Sequence, residues 1–201
     1  MQKVTTPMNC SSAIVDRPTE QVLSVLKLFY EAEVKGRGMT LDAHKSEPSL
    51  QQAAEWMTKP HGKQWLFLSG TVGTGKTTLL RAIRNTLIEF NVTNKMFRAS
   101  DFPALFFNNV ELTERQLLRG EWCRVLLLDD VGVEQVELKE YGNTVKPFVK
   151  IIEERYNRML PLVVSTNLSF ADMTTTYGIR TTDRIKEMTH GIKYNFKSFR
   201  K

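Results

Sequence analysis

Gly70-Thr71-Val72-Gly73-Thr74-Gly75-Lys76-Thr77 is the stretch on which the fold turns. It has the spacing G-x-x-x-x-G-K-[ST], follows an apolar run from Trp65 to Ser69, and opens a helical pattern at Lys76. Glycines let such a loop curl until successive backbone N–H groups converge on phosphate oxygens. The helix N-terminus adds partial positive charge. Lys76 is expected to reach the β- and γ-phosphates of ATP, and the Thr77 hydroxyl to bind Mg²⁺. Gly70, Thr71, Val72, Gly73, Thr74, Gly75 and Thr78 complete the expected cradle.

Beyond the loop, strand-like and helical patterns alternate. Residues 76–90 read as a helix with Leu79, Leu80, Ile83, Leu87 and Ile88 inward, and 95–100 as a strand. Asp101 is placed to cap a short helix carrying Phe102, Leu105 and Phe106. Residues 124–128 form a third strand, 162–165 a fourth and 192–196 a fifth. Helices are expected over 138–159, bent or divided at Pro147, and over 178–188. Strands alternating with helices mean an α/β fold with a parallel sheet covered on both faces. Trp65, Phe97, Phe102 and Phe106 read as core, and the three histidines as surface residues.

Ahead of the loop, residues 1–18 read as a polar arm. A helix from Thr19 to Val34 has apolar residues spread widely around it and needs a partner on more than one side. Residues 39–48 read as linker, with Pro48 opening a helix over 49–58. These readings divide the chain into an N-terminal arm and helix, 1–38, and an ATPase domain, 39–201.

Composition narrows the class. The chain has 201 residues, 41% of them hydrophobic and 25% charged, which suits one domain with a proper core and argues against a disordered chain. No apolar run approaches the roughly 18 residues of a membrane span. Cys10 and Cys123 match no metal spacing, so a reduced, cytoplasmic setting is expected. The net charge is 28 − 22 = +6, and the segment from Gly178 to Lys201 holds seven bases against two acids. A basic end suits a polyanion, and a solvated tail has the same pattern.

Four further clusters bear on chemistry. Val125-Leu126-Leu127-Leu128-Asp129-Asp130 is an apolar strand ending in acids, which places carboxylates at the sheet edge beside the phosphate loop. Asp129 is expected to hold Mg²⁺, and Asp130 to orient and deprotonate the attacking water. Ser165-Thr166-Asn167 ends the fourth strand, where Asn167 can sit between the γ-phosphate and that water. Arg180 and Arg184 are four apart on one helix. They fit an arginine finger reaching a neighbouring subunit's nucleotide as well as they fit solvated arginines paired with Asp183 and Glu187. The interleaved bases and aromatics of Lys193–Arg200 fit single-stranded nucleic acid or a final strand packed on the domain.

Together these residues resemble the DnaC/IstB branch of the AAA+ ATPases. The resemblance rests on 70–77, the LLLDDVG stretch ending at Gly132, the Ser165-Thr166-Asn167 strand end, the Gly178-x-Arg180-x-x-x-Arg184 helix and the closing Asn195-Phe196-Lys197-Ser198-Phe199-Arg200. It implies a five-stranded parallel sheet in the order 5-1-4-3-2 with little or no C-terminal lid. By position, Asn167 matches sensor 1, Arg184 the finger acting in trans, Arg180 the other arginine of that helix, and Arg200 a sensor 2 type arginine. It also implies a slow, assembly-gated ATPase using ATP and Mg²⁺. Such a protein would self-assemble, bind single-stranded DNA and load a DnaB-type replicative helicase, with Thr19 to Val34 as the helicase-binding segment. An IstB-like transposition helper that recruits a transposase is the alternative.

Overall fold

The computed structural model describes residues 13–38, 43–108, 111, 113–140 and 143–194. Helices Thr19–Gly36 (α1) and Ala43–Thr58 (α2) lead into Trp65–Gly70 (β1), Lys76–Glu89 (α3) and Asn94–Arg98 (β2). A 3₁₀ turn, Ala99–Asp101, and two π-helical segments, Ala104–Asn108 and Thr113–Leu118, carry the chain to Val125–Val131 (β3). Then come Leu138–Glu140 (β4), Asn143–Val145 (β5), Pro147–Asn157 (α4), Leu162–Thr166 (β6), Phe170–Tyr177 (α5), Ile179–Met188 (α6) and Thr189–Tyr194 (β7).

Five strands form one parallel sheet in the order β2-β3-β6-β1-β7. Numbered among themselves they run 5-1-4-3-2 from the other edge, the order the resemblance implies. Strand alternation sorts the core into two layers. Leu66, Leu68, Val125, Leu127, Val163 and Ile192 face α1, α2 and α3. Trp65, Phe67, Leu126, Leu128, Leu162 and Val164 face α4, α5, α6 and the turns before β3. Each buried Leu, Val or Phe contributes about 1.5–3 kcal/mol. Because the strands are parallel, β1, β3 and β6 all end at one sheet edge, and β1 sits where the strand order reverses. That crevice is where ligands of open α/β sheets bind.

The N-terminal helix is tied to this core. Val22, Leu26, Tyr30 and Val34, four apart in sequence, are its buried stripe, and α1 packs on both α3 and α2. Ahead of it, the Ile14 and Val15 N–H groups both donate to the Met57 carbonyl at 2.9 Å. The Arg124 guanidinium donates to the Ile14 and Ala13 carbonyls at 3.1 and 2.9 Å. Among the described residues no helix is long and apolar enough to cross a membrane.

Several expectations from sequence are corrected. The helix expected over 138–159 begins only at Pro147; before it, β4 and β5 pair as an antiparallel hairpin. Proline in the first helical turn costs nothing, because that N–H lacks an intrahelical partner anyway. Pro48 does not open α2 but lies inside it, exposed, with helix already formed from Ala43. Ile88 is 52% exposed rather than inward, since the inner face of α3 is carried by Leu79, Leu80, Ile83 and Leu87. The last strand starts at Thr189 rather than at 192. Helix α5, absent from the sequence reading, is capped by Ser169, whose hydroxyl accepts the Asp172 N–H at 3.1 Å. His190 is half-buried, not a free surface residue. The closing motif from Asn195 to Lys201, including Arg200, lies outside the described residues, as do His44's side chain and Cys10.

Candidate functional site

The phosphate loop joins the end of β1 to the start of α3. Gly73 and Gly75 hold φ at 82° and 94°, a left-handed backbone that side chains resist. Thr74, almost fully buried, closes the loop by donating its hydroxyl to the Thr71 carbonyl at 2.9 Å. Lys76 is 5% exposed and spends all three ammonium donors: on the Gly70 carbonyl at 2.7 Å, the Thr71 carbonyl at 2.8 Å and Asn167 Oδ1 at 2.7 Å. Burial pulls the Lys76 ammonium below the ordinary lysine range, and the Asp130 and Asp129 carboxylates oppose that pull. Asn167, exposed at the end of β6, thus meets the loop lysine across 91 residues of sequence. Thr78 is buried.

Asp129 and Asp130 end β3 in unlike ways. Asp129 is 1% exposed, and its Oδ1 accepts the Thr77 hydroxyl at 3.0 Å and the Ser165 hydroxyl at 2.5 Å. Asp130 has φ 56°, and the register of β3 against β6 shifts between Leu128 and Val131. Such a bulge re-aims side chains, and aspartate tolerates the left-handed conformation better than most residues. The Asp130 N–H, removed from the ladder, donates to Ser165 Oγ at 2.9 Å. One serine hydroxyl therefore braces both acids, a part the sequence reading did not assign to it. The loop that follows is tied down as well. Glu134 accepts the Gly132 N–H at 2.6 Å and the Tyr177 hydroxyl at the end of α5.

These residues fit a magnesium nucleoside triphosphate. A curled loop, a buried lysine and a helix N-terminus suit phosphates. The hydrogen-bonded Thr77–Asp129 pair would supply the few hard oxygens that Mg²⁺ takes from protein when phosphates provide the others. Among the described residues no three His, Cys, Asp or Glu side chains are grouped to hold a metal by themselves.

The two arginines of α6 part company. Arg184 is held within its own chain: its guanidinium pairs with Glu153 Oε1 of α4 at 3.0 Å and lies 5.1 Å over the Tyr156 ring, leaving the side chain 14% exposed. The acids named as its sequence neighbours go elsewhere, Asp183 to Lys186 at 3.7 Å and Glu187 to the Tyr156 hydroxyl at 2.7 Å. Arg180, in the first turn, is exposed, and among the described residues its side chain has no ion pair or hydrogen bond.

Comparison with known proteins places this geometry. The profile of the bacterial DnaA ATPase domain matches residues 29–187. Over 106 residues the chain is 28% identical to the replicative helicase loader DnaI of Bacillus subtilis, covering 52% of this chain. It spans 33% of that loader, and 26% of a DnaA from Lacticaseibacillus casei to which it is 28% identical over 125 residues. Among solved structures, the DnaC helicase loader superposes with a TM-score of 0.58 at 23% identity, over 75% of this chain and 90% of that one. A replication initiator DnaA bound to AMPPCP and single-stranded DNA gives 0.56 at 17% identity, over 76% of this chain and 47% of that one. At such identities the structural likeness is one of fold. The profile, matching well over half of the chain on the elements that build the phosphate site, makes this protein a member of the bacterial DnaA ATPase-domain family, with the AAA+ fold.

Proposed function

We propose that this chain is an ATP-switched helicase-loading factor whose hydrolysis is completed by a second copy. One observation carries the reading. Lys76, Thr77, Asp129, Asp130 and Asn167 converge within one chain, whereas Arg180, without an ion pair or side-chain hydrogen bond among the described residues, stands exposed on another element. The site holds what is needed to bind ATP and to prepare water, and among the described residues no arginine bonds within it to meet the transition-state charge. Lys76 holds the phosphates, Thr77 and Asp129 hold Mg²⁺, and Asp130 takes the proton of the attacking water, oriented with Asn167. Arg180 of a neighbouring copy supplies the missing cation. Arg184, expected from sequence to be that finger, is paired with Glu153 of α4 in its own chain, and in this reading it steadies α6 so that Arg180 is presented. The loader reading is supported by the likeness to DnaI and DnaC, and DNA as a ligand by the DnaA bound to a single strand.

The helicase contact falls to the outward side of α1, where Leu28 is 68% exposed while the opposite stripe is covered. The test is co-purification with a ring helicase from the native cell. Capture is expected with ATP and wild-type chain. Lys76→Ala should abolish it, and Leu28→Asp should weaken it without loss of fold. Capture of a transposase instead would establish the IstB-like alternative, and equal capture with and without ATP would sink the switch.

A further inference from the structure

We infer that a groove on the far side of α3 from the phosphate loop's partners is a track for single-stranded DNA; this rests on the DNA-binding part of the function proposed above. Two adjoining cavities, about 540 and 240 Å³, share Glu33, Arg81 and Asn85 and so form one cleft. Its walls come from three elements. Phe29 and Glu33 lie one turn apart on α1 and Arg37 caps its C-terminus, and Arg81, Arg84 and Asn85 share one face of α3. Met96, Phe97 and Arg98 close it from β2, the edge strand of the sheet.

Four guanidinium groups, of Arg37, Arg81, Arg84 and Arg98, line this cleft against two carboxylates. Glu33 is engaged loosely by Arg81 at 3.8 Å, and Asp101 accepts the Arg98 N–H at 3.2 Å and the Ser100 hydroxyl at 3.3 Å. Among the described residues the side chains of Arg84 and Arg98 form no ion pair, and both are exposed. Arginines free of ion pairs beside the partly buried Phe29 ring and Met96, both on the α1 and α3 side of the sheet, offer what a single strand needs: cations for the backbone and apolar surface for unstacked bases. Strand addition at the edge of β2 is disfavoured, because exposed Lys95 and Arg98 are the charges that blunt an edge strand. The cleft also runs along the helix that begins at Lys76, so its occupant would touch the element that carries the loop lysine.

The experiment is fluorescence anisotropy of a labelled oligothymidylate with the full chain and an ATP analogue, across a salt series. Removing two phosphate contacts in Arg84→Ala/Arg98→Ala should flatten the slope of log K against log salt by about 1.4 and weaken binding about tenfold near 0.1 M salt. Arg84→Glu/Arg98→Glu should abolish binding. Lys59→Glu/Lys63→Glu, with the same charge change on exposed lysines ahead of β1, should bind nearly as wild type. Thermal melting checks that each variant is folded. If both charge reversals weaken binding equally, or if the groove variants bind as wild type, the groove assignment is overturned. If wild type itself fails to bind any single strand, the DNA-binding part of the proposed function falls with it.

Discussion

Ser165 is where the chemistry of the site depends most on a residue without a catalytic signature. Its hydroxyl donates to Asp129 and accepts from the Asp130 N–H, so it bridges the bulge that turns the two acids apart. Ser165→Ala should leave a buried carboxylate oxygen and a displaced N–H short of partners, at a cost of about 1–3 kcal/mol. Turnover should drop more than nucleotide affinity, and a thermal melt with a turnover assay reads both; a variant as stable and active as wild type would contradict the bracing. Asp130→Asn should keep Mg-ATP binding and lose hydrolysis, since the amide cannot take a proton; retained hydrolysis would remove Asp130 from the base role. Lys76, Thr77 and Asp129 were legible in sequence because their spacing encodes a local geometry, a loop between strand and helix. The Ser165 brace was not, because it arises from a register shift between β3 and β6 that depends on how two distant strands pair.

At the scale of elements, α4 does two jobs. Its inner side carries Arg155, fully buried, which donates to the carbonyls of Leu117, Cys123, Arg124 and Pro161 at 2.7–3.2 Å. Burial pulls its guanidinium down to about 10, with the neighbouring Cys123 sulfur opposing, so the cation persists at neutral pH. Arg155 thus pins the strand entries of β3 and β6 to the turn before them. Arg155→Met should strand these carbonyls and cost about 3–5 kcal/mol, a fall of roughly 10 °C in melting temperature; an unchanged melt would refute the staple. The outer side of α4 carries Glu153 and Tyr156, which hold Arg184. Arg184→Met should cost under about 1 kcal/mol in stability and leave part of the assembly-stimulated ATPase, whereas Arg180→Ala should remove that stimulation. The reverse ranking, read from turnover against protein concentration, would restore Arg184 as the finger. Sequence periodicity found α3, α6 and the central strands because each has one clear apolar face. It merged β4, β5 and α4 into one helix because short hairpin strands carry too few residues to show a period of two, although Gly142 was a turn signal.

For the molecule as a whole, the sheet order came from the family resemblance and not from any local pattern, since periodicity says nothing about which strands are neighbours. The arginine groove was illegible for the same reason: it is assembled from α1, α3 and β2 and exists only once they pack. The same separation applies to function. Lys76, Asp130 and Asn167 stand together on one edge, and Arg180, unpaired among the described residues, stands on α6, which packs on α4 and α5. In the function proposed above, a site so divided would make turnover a sensor of assembly, reporting that two copies have met. The most direct test mixes two inactive proteins, Asp130→Asn, which keeps Arg180, and Arg180→Ala, which keeps Asp130, and measures ATP turnover of the mixture. If the site is shared between copies, each variant alone is nearly inactive and the mixture regains turnover. A mixture no more active than its components would contradict it.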